Sequence, residues 1–140
     1  MKKVLTLTIV FILSGLSTVL ADKFVPEFDK MTNLKCTINE EIFEQDGKPA
    51  TKNVYYRYYK LDDEKQKIYL QKAPVDKILS YDDEKIEFLT QHLTDDFIMQ
   101  SKIVINKMDN SIKSTSEINY DSDMFPNRKA KGIGTCEILK

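Results

Sequence analysis

The stretch Ser111-Ile112-Lys113-Ser114-Thr115-Ser116-Glu117-Ile118-Asn119-Tyr120 alternates without a break. Ile112, Ser114, Ser116, Ile118 and Tyr120 share one parity, and Lys113, Thr115, Glu117 and Asn119 share the other. A period of two is the period of a strand, and a charged parity beside an apolar one describes a strand with its back on a core and its front in water. The preceding segment, Phe97 to Ile105, is apolar and β-branched, with Phe97, Met99, Ile103 and Ile105 in phase. Met108-Asp109-Asn110 between the two is turn chemistry, so the pair reads as a hairpin.

Working outward, an acidic tetrapeptide occurs twice. Asp62-Asp63-Glu64-Lys65 stands between Tyr58-Tyr59-Lys60-Leu61 and Ile68-Tyr69-Leu70, and Asp82-Asp83-Glu84-Lys85 between Ile78-Leu79-Ser80-Tyr81 and Ile86-Glu87-Phe88-Leu89. Each reads as the solvated tip of a hairpin. Two copies with poorly matched flanks are too few for a solenoid. Gln71 to Asp76, with Pro74, and Thr94-Asp95-Asp96 read as turns. Glu44 to Asn53, with Gly47 and Pro49, and Asp121 to Gly132, with Pro126 and the basic Arg128, Lys129 and Lys131, read as longer loops. Asp22 to Lys30 reads as an irregular lead-in pinned by Phe24 and Phe28. The strands expected are then about 33–43, 52–61, 66–71, 76–81, 85–92, 96–107, 111–120 and 132–139.

About eight short strands with short connections predict an all-β antiparallel meander, barrel-like or half-open. A two-sheet β-sandwich is the alternative. Cys36 is in phase with Leu34 and Ile38, and Cys136 with Gly134 and Ile138, so both cysteines point inward. A disulfide needs Cα atoms within about 7 Å, which brings the first and last strands together. Gly132 and Gly134 then suit a bend or bulge at a closing seam. The bridge would close a loop of about a hundred residues, worth roughly 4–5 kcal/mol at most by chain entropy.

The two cysteines fit an oxidising compartment. Met1-Lys2-Lys3, the apolar run Val4 to Leu16 and the exit Ser17-Thr18-Val19-Leu20-Ala21 have the layout of a cleaved signal peptide. Residues 1–21 are therefore expected to be the leader, 22–140 a single β domain, and the destination secreted or periplasmic. The run is short for a membrane anchor and is interrupted by Thr6, Thr8, Ser14, Ser17 and Thr18. Cys36 is too distant from Ala21 for lipoprotein acylation. Removing the leader's two lysines takes the formal charge from −1 to −3. A mildly acidic chain whose only arginines are Arg57 and Arg128 does not describe a nucleic-acid or polybasic membrane binder.

Catalytic parts are missing. One histidine, no Gly-x-Ser-x-Gly and no spare thiol leave no nucleophilic triad, so no enzyme activity is expected. His92 with Asp95 and Asp96 is a poor ligand set, and the acidic turns lack calcium-loop spacing, so no metal or other cofactor is expected.

The run Val54-Tyr55-Tyr56-Arg57-Tyr58-Tyr59 remains. Packing within a sheet accounts for tyrosines on a strand. The functional reading makes Tyr55, Arg57 and Tyr59 a ligand or partner surface, outside or at a wet mouth, because an unpaired arginine is costly in a core. Val54, Tyr56 and Tyr58 would then be the core face, with Lys60 snorkelling from the strand end. The function expected is a monomeric binding module. It would take a small apolar ligand in a barrel cavity, or a protein or glycan on the tyrosine strand. The rival is a structural or envelope-associated protein with no small ligand.

Overall fold

The computed structural model describes residues 27–140. The leader over 1–21 and the anchoring role of Phe24 lie outside the described residues. Of the lead-in, residues 27–30 are described, and Phe28 packs against the sheet. It belongs to a single 3-10 turn, Phe28–Lys30, and its ring stands edge-on to Tyr69 at 5.3 Å.

Nine antiparallel strands follow: β1 (Thr32–Phe43), β2 (Pro49–Asp62), β3 (Lys67–Leu70), β4 (Ala73–Pro74), β5 (Lys77–Tyr81), β6 (Lys85–Leu93), β7 (Phe97–Asn106), β8 (Ser111–Tyr120) and β9 (Arg128–Leu139). They form one sheet in the order β4-β3-β2-β1-β9-β8-β7-β6-β5. The sheet curls into a half-barrel, and a single continuous sheet removes the sandwich alternative. The short β4 is absent from the sequence expectation, because two residues containing Pro74 carry no period. The two long loops are shorter than expected. Backbone bonds from Glu44 to Lys48 and from Gly47 to Glu44, both 2.9 Å, close a tight turn at Gly47, where φ is +83°, and β2 starts at once. Arg128 starts β9 early, its guanidinium 3.1 Å from Glu44.

The first and last strands do meet, but not at a seam. β1 and β9 pair from Asn33↔Leu139 to Phe43↔Lys129 in the middle of the sheet. Cys36 and Cys136 are direct cross-strand partners, disulfide-bonded with Cα atoms 3.9 Å apart. The open side lies between the β3–β4 hairpin and β5. Gly134 therefore serves close approach rather than a bulge: a Cβ there would strike the carbonyl oxygen of Thr37 on β1.

Leu34, Cys36, Ile38, Phe88, Ile105 and Ile112 belong to a continuous inward core. Tyr59 joins it edge-to-face with Phe88 at 5.6 Å, so the two flanks of the sheet meet through side chains. One end of the open side is also latched by the two acidic turns. The Asp63 carboxylate accepts from the Tyr81 hydroxyl at 2.7 Å and from Lys107 Nζ at 2.9 Å. Lys107 also donates to the Asp82 carbonyl oxygen at 3.3 Å. Partial burial pushes the Asp63 carboxyl up, but Tyr81 and Lys107 outweigh it and hold the group below the usual carboxylate range. Burial, and then the Asp63 carboxylate, push the Tyr81 hydroxyl up.

Candidate functional site

β2 is the longest strand, and only part of it has two neighbours. It pairs with β1 from Thr51 to Leu61, whereas β3 covers only Tyr59 to Asp62. Among the described residues no strand lies beside Thr51 to Arg57 on the far side.

The direction of the backbone groups along this stretch follows from three hydrogen bonds. Cys136 N–H donates to Asn110 O at 2.7 Å, away from β1. The cysteine pair is therefore a non-hydrogen-bonded position of the β1–β9 ladder, as its short Cα separation also requires. Cys36 consequently bonds toward β2, where Arg57 faces it. Alternation then points the N–H and C=O of Asn53, Tyr55 and Arg57 at β1, and those of Lys52, Val54, Tyr56 and Tyr58 outward. Gln71 N–H confirms the phase by donating to Tyr58 O at 2.9 Å, and Arg57 Nη1 by donating to Tyr56 O at 3.3 Å.

The side chains reverse the expected faces. Tyr59 is 1% exposed and belongs to the core. Val54, Tyr56 and Tyr58, expected to be the core face, are 63%, 53% and 47% exposed. Tyr55 is half-buried and Arg57 is exposed. The surface expected from Tyr55, Arg57 and Tyr59 thus lacks Tyr59. The physical reason is the length of β3. Inward positions on β2 are covered from Tyr59 onward, where Leu70 is the neighbour, while Arg57 lies past the end of β3 and faces the open side. Its guanidinium lies 4.4 Å from the Tyr55 ring centroid. The Tyr55 hydroxyl donates to Glu40 Oε2 at 3.1 Å; burial, and then the Glu40 carboxylate, push it up to about 12.

The outward tyrosines have their own company. Ile133, 63% exposed on β9, lies in one cross-strand row with Val54, through Asn39. Lys35 Nζ lies 4.7 Å from the Tyr56 ring centroid. Ile133 and Lys35 were missed by sequence reasoning, although an inward Cys136 already makes Ile133 outward by parity.

No protein-family model, curated protein or solved structure matches the chain.

The two larger hollows are open, and their walls are mostly the aliphatic parts of polar and charged side chains. A groove of about 570 Å³ crosses β6 to β9, and a second of about 580 Å³ shares Glu117, Lys129 and Lys131 with it. The first takes consecutive triplets from neighbouring strands, such as Gln100-Ser101-Lys102 and Thr115-Ser116-Glu117. The middle residues have inward parity, so the groove lies on the outward face, between two rows of side chains. Within the half-barrel, Tyr59, Phe88, Ile68 and Ile86 fill the core. His92 packs against Phe97 at 6.1 Å, and Thr94 Oγ1 accepts the Asp96 and Phe97 amides to close the turn. Among the described residues no group of three or more His, Cys, Asp or Glu is placed to hold a metal ion, and no helix is long and apolar enough to cross a membrane.

Proposed function

We propose that the chain is an exported, non-enzymatic binding module that holds a protein partner on the outward face of β2. The observation that carries this reading is the exposure of Val54, Tyr56 and Tyr58 together on one strand face, with Ile133 exposed in the same cross-strand row beyond Asn39. Tyrosine supplies large contact area at low entropic cost and keeps a polar tip for the rim, which suits recognition surfaces. The filled core, and the position of the groove across β6 to β9 on the outward face, favour an outward surface over an internal apolar ligand. Export is supported by the disulfide and by the layout of residues 1–21.

A thermal-shift screen against peptide, glycan and lipid libraries tests the reading, run on the chain and on a Tyr56→Ser/Tyr58→Ser variant. Peptide hits that vanish in the variant are expected. Lipid hits that survive it would move the site to the interior, and a flat screen would favour a structural protein.

A further inference from the structure

The geometry points to the edge of β2 from Lys52 to Tyr56 as a place where an extended acidic segment of a partner protein adds as a further strand. This deepens the reading of β2 as the binding strand and rests on it.

A strand edge with unpaired backbone groups is a template for another chain, and natural sheets blunt such edges. The other edges here are short or blunted: the end of β6 over residues 90–93 runs past β5, but it is four residues long and its Gln91 amide is taken by the Asp76 carboxylate. β4 is two residues long and contains Pro74, and β5 is five residues with a register shift between Ile78 and Ser80. The β2 edge is long, in unbroken register with β1 from Thr51 to Leu61, and bears the β-favouring run Val54-Tyr55-Tyr56. Val54 presents both N–H and C=O outward there, as does Tyr56. Added strands gain affinity from these main-chain bonds and specificity from side chains on alternate positions. On β2 those positions are Val54, Tyr56 and Tyr58.

Charge selects the occupant. From Pro49 to Leu61 the strand carries Lys52, Arg57 and Lys60 and no carboxylate. Lys35 lies beside Tyr56; on β1, Glu41 faces Lys52 and offsets part of its charge, and Glu40 is engaged by Tyr55, so Arg57 and Lys35 carry most of the positive charge along the edge. A second copy of this chain would bring two like-charged edges together, whereas an acidic segment complements the edge. Arg57 makes the choice sharper. Its guanidinium covers the outward Tyr56 carbonyl, which an incoming N–H needs. A partner carboxylate gives the guanidinium a stronger acceptor and frees that carbonyl.

The test uses the disulfide-bonded chain and a capped peptide of about eight residues, a typical strand length, alternating valine and glutamate. Binding is read by fluorescence anisotropy and by amide exchange of Val54 and Tyr56. The peptide is expected to bind and to slow exchange at both amides. Methylating its alternate backbone nitrogens, or replacing glutamate by lysine, is expected to weaken binding at least about tenfold, and a Lys52→Glu/Arg57→Glu chain is expected to prefer the lysine peptide. Circular dichroism confirms that this variant is folded. Equal binding of the methylated peptide would overturn strand addition while leaving the tyrosine face as the site. No binding of any peptide, together with a Tyr56→Ser/Tyr58→Ser variant that loses nothing in the library screen, would overturn both readings. A concentration-dependent dimer that protects the same amides without peptide would make a second copy the occupant and overturn the acidic segment.

Discussion

Tyr58 and Tyr59 are neighbours in the chain and opposites in the fold. Tyr59 contacts Phe88 across the half-barrel, so Tyr59→Ala is expected to destabilise by about 3–5 kcal/mol in urea unfolding. Tyr58→Ala removes an exposed ring and is expected to cost under about 1 kcal/mol. Equal losses would place both rings in the core. Sequence alone does not separate them, because tyrosine suits either face of a strand and Arg57, in phase with Tyr59, misleads. Arg57 has inward parity yet is exposed, since an inward position beside the open side of a half-barrel is not a core position. A second residue-scale effect concerns Asp63. Its folded carboxyl titrates below its unfolded one, so its contribution is complete above about pH 4 and is lost as pH falls through the folded value. Asp63→Asn and Lys107→Met should each cost less than about 1 kcal/mol at neutral pH, because the carboxylate is half-exposed. Both should flatten the acid limb of a stability–pH curve, and an unchanged limb would show that the latch carries no stability.

At the scale of elements, sequence periodicity found eight of the nine strands. Strict alternation marked β8, turn residues marked the hairpin ends, and the matching inward parity of Cys36 and Cys136 brought β1 to β9. What periodicity does not encode is where a ring of strands is left open. A meander pairs the same sequence neighbours whichever connection is left unpaired, so the gap between β4 and β5 was not legible, and neither was the glycine role that depends on it. Reduction of the disulfide is expected to lower stability by about 2–4 kcal/mol, with the loop-closure gain limited by the extensive β1–β9 pairing that remains. Gly134→Ala tests the same junction independently. Its methyl would meet the Thr37 carbonyl, a backbone atom that only a strand shift can relieve, and a loss of about 1–3 kcal/mol is expected. A neutral Gly134→Ala in equilibrium unfolding would mean that β1 and β9 do not approach as closely as described.

For the whole molecule, the half-barrel leaves the first part of one long strand, Thr51 to Arg57, with a neighbour on one side only, and β2 turns Val54, Tyr56 and Tyr58 toward solvent. The disulfide and the Asp63–Lys107 latch hold the curl on either side of that strand, so the edge is presented by a fixed frame. The most direct check is residue-resolved amide hydrogen exchange along β2 in the chain alone. Asn53, Tyr55 and Arg57, bonded to β1, are expected to exchange slowly, while Lys52, Val54 and Tyr56 exchange fast, in strict alternation. Uniform protection from Lys52 to Arg57 would mean that the edge is already covered, and would contradict the assignment of β2 as an open binding strand.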